Sequence, residues 1–461
     1  MGVTGQTPSK STNNRKRSKR RSGPGLESRL LAIEILSAVL VNRRGLDDSL
    51  EQAFSTDRFK ALEPRDRGFG RLLAVSVLRN KHKLQTIIDG LLDRPLKASA
   101  SRANLILLLG AAQLLELSAP AHAVIDTAVN LCRQHRSTGG FDRLTNAVLR
   151  RVDKQETRDR YKTISVTENY PAWMIARWRR AYGTDIAEQI ASACLTEAPL
   201  DISVKSNPQA WAEQLEGIVT ANGSVRRKNN GKIEDLTGYD EGSWWVQDAA
   251  AAIPVQLLGD INGWKVADIC AAPGGKTAQL AARGAEVVAV DLSHERLRRV
   301  EANLMRLKLS AELQEADATD WSSDAAGMEF DAVLVDAPCT ASGTIRRHPD
   351  ILHLKQADDV RKLAITQAQI LANAAGLVRN GGTLVYCTCS LEPEECEMQV
   401  EEFLAQNSSF ARSPIKSDEF DGLEEFITPA GDIRTLPFHW SDYEDGLKGI
   451  DGFYASRLLK I

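Results

Sequence analysis

The sequence predicts a multidomain chain: an all-α bundle, then a small α+β segment, then a Rossmann-like α/β domain with a mostly parallel sheet. Three observations carry this expectation. The length of 461 residues suits about three domains at roughly 150 residues each. Apolar residues recur at helical spacing almost throughout 27–155. From about residue 251, short apolar strands alternate with amphipathic helices, the order that a parallel sheet covered on both faces requires.

The first 26 residues hold seven basic side chains and no acid, densest at Arg15, Lys16, Arg17, Lys19, Arg20 and Arg21. With Ser, Thr, Asn and Gly between them they can build no core, so a disordered basic tail is expected at 1–26. It reads equally as a solubilising leader or as an arm attracted to phosphates. Across 27–155 the helical runs are LLAIEILSAVL (30–40), RLLAVSVLR (71–79), NLILLLGAAQLLEL (104–117), HAVIDTAVNLC (122–132) and FDRLTNAVLRRV (141–152). Pro120 and Gly139-Gly140 break them apart, and short loops between such helices make a bundle. Arg65, Arg67, Arg71, Arg143, Arg150 and Arg151 punctuate its apolar text, which suggests a surface facing RNA. The α+β segment spans 156–250. It opens with YPAWMIARWRRAYG (170–183), and its tryptophans read as core.

Charge sharpens this division. The formal net charge is -3, from 58 basic and 61 acidic residues. Residues 1–155 hold 27 basic and 14 acidic groups, a net of +13, so residues 156–461 carry 31 against 47, a net of -16. The mildly acidic total therefore decides nothing about a nucleic-acid partner. No run of about 18 uninterrupted apolar residues is present, so no membrane span is expected. Without an apolar signal region the chain is expected in the cytoplasm, where its seven cysteines stay reduced. No paired C-x-x-C units appear, so no metal is expected, and a monomer is the simplest state.

In the domain 251–461 the strands are KVADIC (265–270), EVVAVD (286–291), FDAVLVD (330–336) and GTLVYCTC (382–389). Ligands of such sheets sit beyond the carboxyl ends of the strands. The first end carries DICAAPGGKT (268–277), whose Cys270, Ala271, Ala272, Pro273, Gly274, Gly275 and Lys276 form a compact turn into a helix. A phosphate-binding P-loop would need a glycine where Cys270 stands. Asp291 ends the second strand, where a carboxylate can bind both ribose hydroxyls. Asp317, in EADATDW, follows the third and could bind an adenine amino group. A ribose and a base with no pyrophosphate point to S-adenosylmethionine as cofactor.

Two further strand ends carry cysteines: DAPCTASGTIRRHPDI (336–351) places Cys339 beside Asp336, and YCTCSLEPEE (386–395) carries Cys389. A single buried cysteine is usually an inert small hydrophobe. Two of them at one edge, one beside an acid, point to reactive thiols. The text TCS…PEE is expected to start a helix, whose positive end would favour a thiolate. Cys387 offers a further thiol on the same face of its strand.

The motifs DICAAPGGKT, DAPCTASG and YCTCS, in this order, resemble those of the RNA cytosine-5 methyltransferases. LLLGAAQLLELSAPAHAVIDTAV (107–129) and TNAVLRRV (145–152) make 27–155 similar to the antitermination factor NusB. Together they resemble the bacterial small-subunit ribosomal RNA methyltransferases of the RsmB/Sun type, over essentially all of 27–461. The resemblance implies methyl transfer from S-adenosylmethionine to carbon 5 of a cytosine in 16S ribosomal RNA. It makes Cys389 the nucleophile, Cys339 the group assisting release, Asp336 the holder of the cytosine edge and Lys276 a neighbour of cofactor and target. It extends cofactor contacts to Cys270 through Lys276, Asp291, Asp317 and Asp336. The family's usual Arg-Val-Asn is SVKSN (203–207) here. Rival readings are another RNA as substrate, a DNA cytosine-5 methyltransferase using Cys339, or a non-catalytic RNA-binding protein.

Overall fold

The computed structural model describes residues 25–322, 329–420 and 422–461, so the basic run at 15–21 lies outside the described residues. The amino-terminal region is a bundle of helices, chiefly Leu26–Leu40, Leu46–Ser55, Pro64–Leu91, Ser101–Leu115, Ala121–Gln134 and Asp142–Val152. Pro64 opens its 28-residue helix at a first-turn position, where the missing N–H costs nothing. Leu31, Leu36, Leu78, Leu108 and Leu149 meet in one fully buried core. One window, Ala98–Leu115, is long and apolar enough to cross a membrane by composition, and 67% of it is buried inside the bundle. The helix Gln155–Thr163 adds Tyr161 to the same core, so the bundle runs past the sequence boundary at 155.

The segment expected as one α+β unit at 156–250 instead divides among several cores. Its helices Ala172–Tyr182 and Thr184–Cys194 bury Met174, Trp178 and Ile190 against Ile345, Ile351 and Leu391 of the last domain. Their apolar faces find partners there, far along the chain. Only the remainder forms a small antiparallel sheet of β1 (Leu200–Val204), β2 (Ile218–Val219), β3 (Val225–Arg227) and β4 (Trp244–Val246), in the order β2-β3-β1-β4.

The last domain holds β5 (Lys265–Ile269), β6 (Glu286–Asp291), β7 (Glu312–Glu315), β8 (Phe330–Asp336), β9 (Val378–Thr388), β10 (Phe410–Arg412), β11 (Ile433–Thr435) and β12 (Phe453–Lys460). The order across the sheet is β7-β6-β5-β8-β9-β12-β10, with β11 paired to β12. Strands β5 to β9 are mutually parallel, and the inner ones, β5, β6, β8 and β9, are largely apolar on both faces, as a sheet buried on both sides demands, while edge strand β7 is polar. Antiparallel β12 aligns Tyr454 with Thr388, so the turn that begins β12 lies beside the carboxyl end of β9. That reversal brings Asp451 and Phe453 to the edge where the parallel strands end.

Candidate active site

The bundle, the small sheet and the strand ends enclose a cleft of about 1370 Å³. All seven residues from Cys270 to Lys276 line it. Gly274 takes φ +97° and turns the chain into the helix Gly275–Ala282; a Cβ there would also meet Val300 at 2.9 Å. Asp291 secures this loop from behind, accepting from Ala272 N at 3.1 Å and Ser293 N at 3.0 Å. Arg296 lies over it, 3.4 Å from Asp291 and 2.5 Å from Ala272 O. The lining thus presents Arg296, with Asp291 beneath, and Asp317 falls outside it. Asp317 is exposed, and Thr319 N donates to it at 2.9 Å, which lowers its carboxyl pKa.

Asp268, inside β5, accepts from Thr277 Oγ1 at 2.6 Å and has its other oxygen buried without a partner. Burial pushes its pKa up to about 7. Asp268 is fully buried beneath the glycine-turned loop and outside the cleft lining, so it braces the loop from within.

At the other strand ends Lys276 Nζ donates to Asp336 Oδ2 at 2.7 Å, with side chains 7% and 31% exposed. Burial disfavours the lysine's charge, but the Asp336 carboxylate outweighs it and the net shift is upward. Phe453 lies under the ammonium, 5.0 Å away. Cys387 Sγ points to Asp336 Oδ1 at 3.7 Å, and burial, then Asp336, hold its pKa far above an ordinary thiol's. Cys387 is fully buried behind Asp336 and does not line the cleft.

Cys339 Sγ and Cys389 Sγ stand 3.5 Å apart and both line the cleft. Backbone contacts set this spacing. Gly343 N donates to Cys389 O at 3.0 Å and Gly452 N to Gly343 O at 2.9 Å, so a Cβ on Gly343 would fall 1.8 Å from Gly452 O. The contact with Cys389, followed by burial, drives the pKa of Cys339 well up. The helix expected at TCS…PEE is instead a 3₁₀ turn, Pro393–Glu395, and the α-helix starts only at Glu397. The turn directs Glu395 inward to meet the cysteine loops, and the α-helix begins eight residues beyond Cys389.

The bundle docks on the segment after the first cysteine. Leu46 N donates to Asp350 Oδ2 at 2.9 Å, Arg43 to Leu354 O at 2.6 Å and Arg79 to Arg346 O at 2.8 Å. Its cleft wall carries Arg44 but also Asp47, Asp48 and Glu51, and Glu51 pairs with Arg299 at 2.8 Å. The interleaved arginines lie elsewhere on the bundle, outside the cleft lining. Among the described residues no cluster of three or more His, Cys, Asp or Glu could hold a metal ion.

Comparison with known proteins fits this geometry. The model of the 16S rRNA methyltransferase RsmB/F family matches residues 255–459, and that of the NusB family matches 26–154. "Ribosomal RNA small subunit methyltransferase B" of Yersinia enterocolitica is 32% identical, over 87% of this chain and 92% of that protein. The chain belongs to the RsmB/F family. The protein of the same name from Vibrio cholerae is 36% identical, over 74% of this chain and 82% of its own. The crystal structure of PH0851 shares the fold at TM-score 0.75 and 22% identity, covering 95% of this chain and 99% of that one. NSun6 from Pyrococcus horikoshii with SFG aligns at TM-score 0.54 and 18% identity, over 63% and 98%.

Several residues at the site have no sequence signal of their own: Asp268, Arg296, Arg347, Glu395 and Asp451. Arg347 Nε donates to the buried Asp451 at 2.8 Å and a second guanidinium nitrogen binds the same oxygen. Such partners, about 50–100 residues apart, leave no local spacing to read. Asp268 alone was within reach, as the acid two residues before Cys270.

Proposed function

We propose that the protein transfers a methyl group from S-adenosylmethionine to carbon 5 of a cytosine in 16S ribosomal RNA, with Cys389 as covalent nucleophile. The observation that carries this reading is the pair of thiols 3.5 Å apart beside Asp336 and Lys276. Family membership and the names of the relatives support the substrate class. S-adenosylmethionine supplies an electrophilic methyl on a sulfonium. The lining loop Cys270–Lys276, with Asp268 and Asp291 behind it, would hold that cofactor. Asp317 would reach the adenine only if its exposed loop turned inward.

Carbon 5 of cytosine is a poor nucleophile until carbon 6 is saturated. The Cys389 thiolate adds to carbon 6, forming a carbon–sulfur bond and leaving an enamine whose electrons reach carbon 5. Asp336, steadied by Lys276 and Cys387, holds N3 and the exocyclic amine where charge develops. Carbon 5 takes the methyl group as the sulfonium–methyl bond breaks and S-adenosylhomocysteine departs; the carbon-5 proton then passes to a base, a water molecule in the open cleft, as the carbon–sulfur bond breaks and the Cys389 thiolate is regenerated. Cys339, 3.5 Å from Cys389, assists that release. The basic bundle serves as an RNA-binding domain, and a reaction on ribosomal RNA places the protein in the cytoplasm.

Cys389→Ala should abolish methyl transfer, whereas Cys339→Ala should accumulate RNA covalently attached to protein, seen as a shifted band in denaturing gels. The opposite pattern would reverse the two roles. Bisulfite sequencing of 16S ribosomal RNA from cells with and without the protein should show one cytosine losing protection; no change would exclude this substrate.

A further inference from the structure

Two helices face each other across the cleft with opposite charge. The helix His294–Leu307 lines it with Arg296, Arg299, Asn303 and Arg306, whose spacings of three, four and three set them on one face. At 1.5 Å per residue the row runs about 15 Å. Its two ends are anchored. Arg296 donates to Ala272 O at 2.5 Å. Arg306 Nη1 donates to Tyr239 O at 2.7 Å and Trp244 O at 3.2 Å, with its guanidinium 4.1 Å over the Tyr239 ring. Arg299, between them, reaches across the cleft to Glu51 Oε2 at 2.8 Å and lies 3.7 Å from Glu295 of its own helix.

Glu51 belongs to the bundle helix Leu46–Ser55, whose Asp47, Asp48 and Glu51 all line the cleft and which holds no basic residue. Such a helix stands out in a region of net charge +13. Its first turn is pinned to the last domain: Leu46 N donates to Asp350 Oδ2 at 2.9 Å, and Asp47 lies 3.6 Å from His348. Glu51, one turn further on, is 67% exposed and Arg299 45%. A pair so exposed contributes less than about 1 kcal/mol, so it does little to hold the two regions together. A phosphate offers Arg299 the same kind of paired oxygens as a carboxylate, so the guanidinium can change partner in place. The arginine row, the acidic helix and the thiols of Cys339 and Cys389 line one cleft. RNA that presents a base to the thiols therefore brings its phosphates among these charges.

We propose that ribosomal RNA lays its backbone along the arginine row and that one of its phosphates replaces Glu51 on Arg299. Until then Glu51 occupies that phosphate position from the bundle side, so binding exchanges one anion for another. The exchange rests on the reading of 16S ribosomal RNA as substrate, and the test separates the two.

The full-length protein is titrated with 16S ribosomal RNA transcribed in vitro, and filter binding is followed from about 50 to 200 mM KCl. Both side chains are exposed, so circular dichroism should show the variants folded as the wild type. Wild-type affinity should fall steeply with salt. Arg299→Gln should weaken binding and flatten the slope of log K against log [KCl] by about 0.7, the share of one single-stranded phosphate contact. Arg299→Lys, which keeps the charge, should keep the slope. Glu51→Gln should tighten binding about threefold, because RNA no longer has a carboxylate to displace. In the Arg299→Gln background the same change should gain little, since the shared partner is gone. A slope unchanged in Arg299→Gln would overturn the arginine row as the RNA track. A gain from Glu51→Gln that is absent, or equally large in both backgrounds, would overturn the exchange. Wild-type binding that is weak and indifferent to salt would instead overturn 16S ribosomal RNA as the partner, and the exchange with it.

Discussion

The two halves of the sheet's active edge are built differently. The half at β5 and β6 is local in sequence: residues 268–296 supply its loop, its glycine turn, its buried acids and the overlying Arg296. The half at β8, β9 and β12 is assembled from separate segments around 336–350, 386–396 and 451–453, with the bundle leaning on the first of them. A local site can tolerate movement elsewhere, because its parts travel together. A dispersed site holds its geometry only while every segment keeps its neighbour.

The largest expected contrast comes from two glycines. Gly343→Ala would press a Cβ into Gly452 O and should cost about 3 kcal/mol or more, with loss of methyl transfer. Gly275→Ala meets nothing closer than Gln247 at 3.5 Å and should leave thermal unfolding within a few degrees of the wild type. Equal melting temperatures for the two variants would break the comparison. Lys276 joins the halves, since it leaves the loop at 270–276 to reach Asp336. Lys276→Met should lower the methyl transfer rate about a hundredfold or more, while a fluorescence titration still detects S-adenosylmethionine binding.

Asp268 gives a subtler readout on the local half. Its carboxyl pKa is raised to about 7, above the unfolded value, so the folded state binds more protons between about pH 4 and 7. Its contribution to stability is therefore greatest at low pH and lost as pH rises through 7. Asp268→Asn should remove that slope and gain on the order of 2 kcal/mol relative to wild type between pH 5 and 8, measured by denaturant unfolding. A wild-type slope retained in the variant would assign it to another group. Smallest of all, Glu51→Gln breaks an exposed pair with Arg299 across the cleft and should shift stability by less than about 1 kcal/mol.

The same contrast explains what the sequence could disclose. The DICAAPGGKT loop, Asp336, Cys339 and Cys389 were legible because motif and strand end coincide in the text. Helix periodicity disclosed the bundle for the same reason. The divided middle segment was not legible, because Met174 and Trp178 choose partners near residues 345–391, and spacing along the chain cannot encode that choice. Glu395 was read as part of a helix start, whereas Pro393 opens a 3₁₀ turn that buries it against Thr340 and Ser390. Asp291 stood at the expected strand end, but Arg296 and the backbone of Ala272 already use its oxygens. Alternation of apolar and polar residues does not register such bonds.

The position of β12 bears on the order of assembly during synthesis. It lies between β9 and β10 in the sheet, yet it is translated after both. Until Phe453–Lys460 leaves the ribosome, β9 therefore has a bare edge beside its cysteines, and β10 has no partner. Asp451 arrives at the same moment and with it the fixed position of Arg347. A nascent chain would thus carry the Cys270–Lys276 loop well before the thiol pair is fixed in place. The insertion of one late strand would complete the cleft wall that Asp451 and Phe453 form.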